Sequence, residues 1–224
     1  MTIIRSREAQ CALCAAKSEF LVLASTNTMG SPDLDTRPPE MARSTMHTWV
    51  QRCPHCGYCA SHVAERRPKA ARAVGRRAYK AQLSDPAYPE LANSFLCQAL
   101  IESAGEDYSA ATWVLLHAAW VCDDAGRIEQ AIACRERAAE MLALAEEHGQ
   151  QVGKPEGAST AILVDLLRRS GRFEDARQAL AARPEGIADE AVVRVLEFEA
   201  SLVDQNDTAC HTIAEAFGQA ASRT

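Results

Sequence analysis

Two short cysteine pairs, Cys11-Ala12-Leu13-Cys14 and Cys53-Pro54-His55-Cys56, constrain this chain more than any other feature. A C-x2-C turn lets two thiolates converge on one ion. Two such turns complete a tetrahedral shell, for which zinc is the usual occupant. The second pair is the better formed. Pro54 fixes one backbone angle, and Gly57 permits the positive φ that aims amides at sulfur. The first pair has neither residue nearby, and 38 residues separate Cys14 from Cys53. The expected site is four thiolates, Cys11, Cys14, Cys53 and Cys56, that close the intervening loop.

Other readings of the same residues stay open at this point. The four thiolates also suit iron in a rubredoxin-like site. Cys59, His47, His55 and His62 are near enough in sequence to compete as ligands, Cys59 first among them. The cysteines could be unrelated buried thiols. A dithiol redox pair is a further reading, although that motif normally follows a strand and opens a long helix.

The totals narrow the class. Hydrophobic residues are 47% of the 224, but aromatics are only 5% and alanine is abundant. That mix favours helices packed through small residues. No apolar run approaches the roughly 18 residues of a membrane span. Met1 to Gln10 is charged and is not followed by the apolar segment of a signal peptide. Nine cysteines without a secretion signal imply a reducing, cytoplasmic setting and metal binding rather than disulfides. Residues 1–88 hold 13 Lys and Arg against 7 Asp and Glu, whereas residues 89–224 hold 11 against 23. A basic head and an acidic body suit either an anionic partner or mutual attraction.

Along the chain, Phe20-Leu21-Val22-Leu23 reads as a strand beside the first pair. Ser25-Thr26-Asn27-Thr28 and Gly30-Ser31-Pro32-Asp33 are turn chemistry. In Asp33-Leu34-Asp35-Thr36-Arg37-Pro38-Pro39 the charges are expected to pair or cap a turn, two carboxylates being too few for a hard cation. Met46 to Arg52 is expected to enter the second pair as a strand.

The run Ser25-Thr26-Asn27, then Gly30 to Pro38, then Cys53-Pro54-x-Cys56-Gly57-Tyr58 resembles a bacterial family, the domain of unknown function 2225. The resemblance covers about the first 60 residues well and the rest loosely. It implies paired cysteines at the front, TPR-like helices behind, and a metal role for Cys11, Cys14, Cys53 and Cys56. It implies no activity.

Pro68 suits a first helical turn, so a helix is expected to start near Arg66. It would carry Arg66, Arg67, Lys69, Arg72, Arg76, Arg77 and Lys80, with Val63, Ala70, Val74 and Ala81 inward. Such a stripe is either an anion or nucleic-acid contact or a solvated face against the acidic body, the latter being favoured. Only Tyr79 interleaves, so base stacking has little support. Helices follow from Pro89 to about Ser103, from Tyr108 to Asp123 and from Gly126 to about His148. Gly126-Arg127-Ile128-Glu129-Gln130-Ala131 recurs as Gly171-Arg172-Phe173-Glu174-Asp175-Ala176, with a degraded copy at Asp204 to Ala209. Of the alanine spacings of 45 and 33 residues, the second is close to the roughly 34-residue TPR period, and the first is too long, so it is expected to include an extended helix and the loop His148 to Gly157.

No catalytic constellation stands out. His117 lies between Trp113 and Trp120 and reads as a core histidine. Cys97, Cys122, Cys134 and Cys210 read as small apolar groups in helices. G-x-S-x-G, H-E-x-x-H and G-x-G-x-x-G do not occur. The resulting expectation is a mainly α chain. A zinc-ribbon-like head with short strands spans 1–60, and a TPR-like right-handed α-α solenoid spans 61–224. The expected function is non-enzymatic: a zinc-binding scaffold or adaptor whose body holds a protein or peptide, with no membrane contact. The alternatives are nucleic-acid binding through the 66–80 helix and thiol redox sensing.

Overall fold

The first cysteine pair sits at the tip of a long β-hairpin. Strands β1 (Ile3–Gln10) and β2 (Lys17–Ser25) run antiparallel, in register from Gln10 opposite Lys17 to Arg5 opposite Val22. The computed structural model describes residues 1–218. The run Phe20 to Leu23 lies within β2 as expected. β1 carried no such signal, because Arg5, Ser6, Arg7 and Glu8 are all exposed and no face alternates.

The second pair tips a much shorter antiparallel hairpin, β3 (Gln51–Arg52) and β4 (Cys59–Ala60). The strand expected from Met46 is replaced over Arg43–Thr48 by a 3-10 helix. Local hydroxyls explain the substitution. Thr45 Oγ1 donates to the Ala42 carbonyl at 2.7 Å and Thr48 Oγ1 to the Thr45 carbonyl at 2.8 Å, which favours a tight turn over an extended strand.

The single basic helix expected from Arg66 is instead two short helices, α1 (Ala70–Gly75) and α2 (Arg77–Leu83). Arg76 is extended between them, at φ −72° and ψ 146°. The break re-aims α2 so that Tyr79 reaches the second hairpin. Its hydroxyl donates to the Gly57 carbonyl at 2.8 Å and accepts from the Cys59 amide at 3.1 Å. Ala70, Ala73 and Tyr79 face inward, and Ala81 is exposed rather than buried.

The remaining helices are α3 (Glu90–Ala104), α4 (Tyr108–Asp124), α5 (Ile128–Glu147), α6 (Ala158–Arg169), α7 (Phe173–Ala181), α8 (Glu190–Asp204) and α9 (Ile213–Ala216). From α3 to α8 each helix packs on the next, and α8 also reaches α6. Ala119, Ala131, Ala138 and Ala176 are buried at these contacts, where small side chains let helices approach. The repeated glycine motif forms the corners. Gly126 and Gly171 take φ values of 64° and 75°, and the amides of Arg127 and Arg172 bond back to the carbonyls of Cys122 and Leu167. Each is a helix-ending Schellman turn.

The expected third copy keeps this stop and loses what should follow it. Asn206 is left-handed at φ 53°, and the Asp207 amide bonds the Leu202 carbonyl, but no helix opens at Ala209. Cys210 accordingly lies outside any helix and is exposed. The chain instead returns to the head. Leu34 N–H donates to the His211 carbonyl and Ile213 N–H to the Pro32 carbonyl, both at 2.9 Å, and Asp33 bridges Thr212. One contiguous apolar core runs from Cys11, Leu34 and Tyr58 through Trp120 and Leu166 to Val203. No helix among the described residues is long and apolar enough to cross a membrane.

Candidate metal centre

The two cysteine turns share one backbone pattern. The Ala15 amide bonds the Cys11 carbonyl and the Gly57 amide bonds the Cys53 carbonyl, both at 2.9 Å. Cys11 N–H then donates to the Ala16 carbonyl at 2.9 Å and Cys53 N–H to the Tyr58 carbonyl at 2.8 Å. Gly57 has the positive φ its identity suggested, 74°, and a Cβ there would stand 2.6 Å from Leu83. In the first turn Ala15 fills the matching position at φ 59° despite its Cβ. The weaker-looking motif therefore folds the same way, at the cost of a left-handed alanine. The Ala12 amide on the Val63 carbonyl at 2.8 Å ties the first turn to the chain after β4.

These hairpins bring the four expected sulfurs together. All four ligand atoms lie within 4.8 Å of one another, with Cys11 to Cys56 at 3.7 Å and Cys14 to Cys53 at 3.6 Å. A tetrahedron with metal–sulfur bonds of about 2.3 Å has edges near 3.8 Å. A disulfide requires about 2.05 Å. The donor set and its spacing fit a metal ion held by four thiolates. Backbone amides support the anions: those of Leu13 and Cys14 point at Cys11, and those of His55 and Cys56 at Cys53. Burial pushes the Cys11 thiol up. At Cys53 burial acts in the same direction, but the amides together with the Cys56 and Cys14 thiols outweigh it, and the thiol lies below its ordinary value. A cation at the centre would supply the charge that makes four thiolates tenable.

The competing ligands stay outside. Cys59 is fully buried beside Cys97 and donates to the Gly57 carbonyl at 3.4 Å, while His47, His55 and His62 are exposed. Among the described residues, the cluster with metal-holding geometry is this one.

The basic residues fall into two groups. Arg67 donates to Glu102 at 2.8 and 2.6 Å and to Asp107 at 2.9 Å, and Lys69 meets Glu106 at 2.5 Å. These contacts tie the head to the acidic body. Arg66, Arg72, Arg76, Arg77 and Lys80 are exposed, and among the described residues none has a carboxylate in salt-bridge range.

A second charged assembly was not anticipated as such. The turn Asp33 to Arg37 is closed by the Thr36 amide on Asp33 and the Asp33 amide on Arg37, both at 2.9 Å, with Thr36 left-handed at φ 68°. A β-branched residue is uncommon there, and the turn aims its charges into the helical body. Asp35 accepts from Trp120 Nε1 at 2.7 Å and Arg169 at 3.1 Å. Arg37 donates to Asp124 at 2.6 Å, and Arg43 to Asp33 at 2.7 Å. Asp123 collects Arg135 and Arg169. Arg168, fully buried, holds Asp165 at 2.6 Å and Glu199 at 2.7 Å, and caps the carbonyls of Asp207 and Ala209 at 2.8 Å. The charges do pair, as expected, but with partners up to 134 residues away.

Six carboxylates here face five guanidiniums. Burial, and the nearby charge of Asp165, push Asp35 up to about 6 against the pull of Arg169. Burial and Asp165 likewise push Glu199 well above its ordinary value, though Arg168 opposes them. At Asp123 burial is overcome by Arg135 and Arg169, which hold the carboxyl low. Asp165 and Arg168 were legible only as charges three residues apart in an otherwise apolar stretch of α6.

Family models, curated proteins and solved structures give no match to this chain.

Proposed function

We propose that this chain is a zinc protein whose head is closed by Cys11, Cys14, Cys53 and Cys56 and whose helical body holds a protein or peptide, without catalysis. The spacing of the four sulfurs carries the reading: it suits one tetrahedral ion and is too wide for disulfides. The role of the ion is structural. Two hairpins with few buried side chains of their own are cross-linked at their tips, and thiolate binding of zinc supplies on the order of 10 kcal/mol towards ordering such a unit. The packed succession α3 to α8 and its repeated glycine corners support a TPR-like solenoid. The same combination of head, Asp33–Pro38 turn and helices supports kinship with the domain of unknown function 2225.

Elemental analysis of protein purified under reducing conditions tests the metal. One zinc per chain, with loss of hairpin amide resonances on chelation, is the expected result. Bound iron would declare itself by thiolate-to-iron absorption. Metal-free protein that forms a Cys53–Cys56 disulfide under mild oxidant would make redox sensing the function instead.

The exposed Arg66, Arg72, Arg76, Arg77 and Lys80 favour a second reading, nucleic-acid binding. That reading requires retention on a nucleic-acid column at about 100 mM salt and release by about 500 mM. Passage without retention at the lower salt removes it.

A further inference from the structure

A cleft of ≈ 630 Å³ opens between the β1–β2 hairpin and the second hairpin region, where Gln51, His62 and Ala64 form the facing wall. Strand alternation sets the near wall. Arg5, Arg7 and Ala9 share one face of β1, with successive Cα atoms about 7 Å apart. That face meets the body: Arg7 stands opposite Phe20 in register, and Phe20 and Ala9 pack on the core. Arg5 and Arg7 line the cleft, and among the described residues neither has a carboxylate in salt-bridge range.

The facing wall adds a fixed donor. Gln51 is 6% exposed, and its Oε1 accepts from the Val63 amide at 3.0 Å. That bond decides which way the side chain points, so Nε2 is its free end. This nitrogen has no acceptor among the described residues and is not sealed from solvent. His62, exposed beside it, carries at least one further N–H in either tautomer. The acid on the lining is Glu8, which alternation turns to the opposite face of β1, where Lys17 donates to it at 3.1 Å. Glu65 lines a separate cleft against α3 and α4. Val22 and Ala64 give the wall an apolar stretch.

Glu8 apart, the charged and polar side chains that converge here donate, and the two guanidiniums repel each other until an anion lies between them. A carboxylate carries one charge on two oxygens and is filled by one arginine fork. A phosphate monoester brings nearly two charges on three oxygens, enough for two forks and an amide. The volume exceeds that of a phosphate group and falls within the range of small-ligand sites, about 300–1,000 Å³. We propose that this cleft binds a small phosphate monoester, its phosphoryl oxygens held by Arg5, Arg7 and Gln51 Nε2 and its organic part lying against Val22 and Ala64.

Phenyl phosphate is the probe, titrated into the full chain purified under reducing conditions at about 0.15 M salt, where distant exposed charges are screened. The expected result is saturable binding by ³¹P NMR, with a shift of the Gln51 side-chain amide pair in ¹⁵N spectra. Arg5→Gln and Arg7→Gln, both at exposed positions, should each weaken binding about fivefold or more, and together abolish it. Arg76→Gln with Arg77→Gln, on the exposed basic face of the α1–α2 region, should leave it unchanged. Inorganic phosphate and benzoate should each bind at least about fivefold more weakly, and phenol not at all. The inference is overturned if phenyl phosphate does not saturate, or if the double Arg5, Arg7 variant binds within about twofold of the wild type. It is equally overturned if the Arg76, Arg77 change removes binding, which would put the phosphate on the other basic face. Inorganic phosphate binding as tightly would reduce the cleft to an ion site, and benzoate binding as tightly would make it a carboxylate site; either result refutes the ester.

Discussion

Replacing Glu199 by Gln keeps the shape of a fully buried side chain and removes its ability to ionise. In the wild type, Glu199 Oε2 accepts from Arg168 Nε at 2.7 Å, while Glu199 Oε1 and Asp165 Oδ2 have no donor, although the two acids lie within hydrogen-bonding reach. A proton on Glu199 supplies the missing donor and evens the balance of six acids against five arginines. Because its folded pKa is raised, the group contributes most below its unfolded value of about 4.3, and that contribution is lost as pH rises through the folded value. Gln mimics the protonated form at every pH, its amide nitrogen donating to Asp165. Asp35, also raised, titrates in both proteins and cancels in the comparison. In urea unfolding at pH 4, below the unfolded value, the two should agree within about 0.5 kcal/mol. As the wild type titrates, Glu199→Gln should become the more stable, by up to about 1.5–3 kcal/mol, or roughly 3–12 °C in Tm for a chain of this size. A conventional buried salt bridge predicts the opposite: a loss of about 3–5 kcal/mol on removing one charge. A pH-independent loss of that size would refute the shared proton.

Ala15→Gly should raise stability by about 0.5 kcal/mol, relief of a left-handed alanine exceeding the added chain entropy, whereas Gly57→Ala should lower it by about 2 kcal/mol or more because the new methyl meets Leu83; thermal unfolding checks both. Tyr79→Phe strips the hydroxyl that joins the Gly57 carbonyl to the Cys59 amide, and should cost about 1–3 kcal/mol and speed loss of any bound metal to a chelator, since the second cysteine turn loses its support. Arg67→Ala leaves the buried Glu102 without its cation and should cost about 2 kcal/mol in urea unfolding, less than a wholly buried pair because the arginine is one-third exposed. Adding Glu102→Gln should recover most of it.

Local chemistry made parts of this chain legible. The cysteine turns announce themselves within four residues each, and Pro54 and Gly57 state their geometry. Tyr108 to Asp124 and Ile128 to Glu147 carry enough helical period to be placed within a residue or two. Failures occur where the deciding partner is distant. Nothing near Asp33, Asp35 or Arg37 reveals that Arg43, Trp120, Asp124 and Arg169 complete them. The break at Arg76 answers to the hydrogen bonds of Tyr79 with the second hairpin. The copy at Asp204 retains a helix stop in Asn206, so its resemblance to Gly126 and Gly171 is real but concerns how a helix ends, not whether another begins.

The return of residues 207–213 to the turn at Pro32–Asp33 has a consequence for the order of events during synthesis. At about 5–20 residues per second, the ribosome completes the second cysteine turn roughly 8 to 30 seconds before the segment that seats on the head. The thiolates can capture an ion as soon as Cys56 emerges. The acids and arginines of the 33–43 turn must wait in water until α4, α6 and finally the returning segment arrive. A nascent chain stalled near residue 190 should therefore hold metal while its Asp33–Arg43 turn stays open to proteases, and release of the last helix should close it.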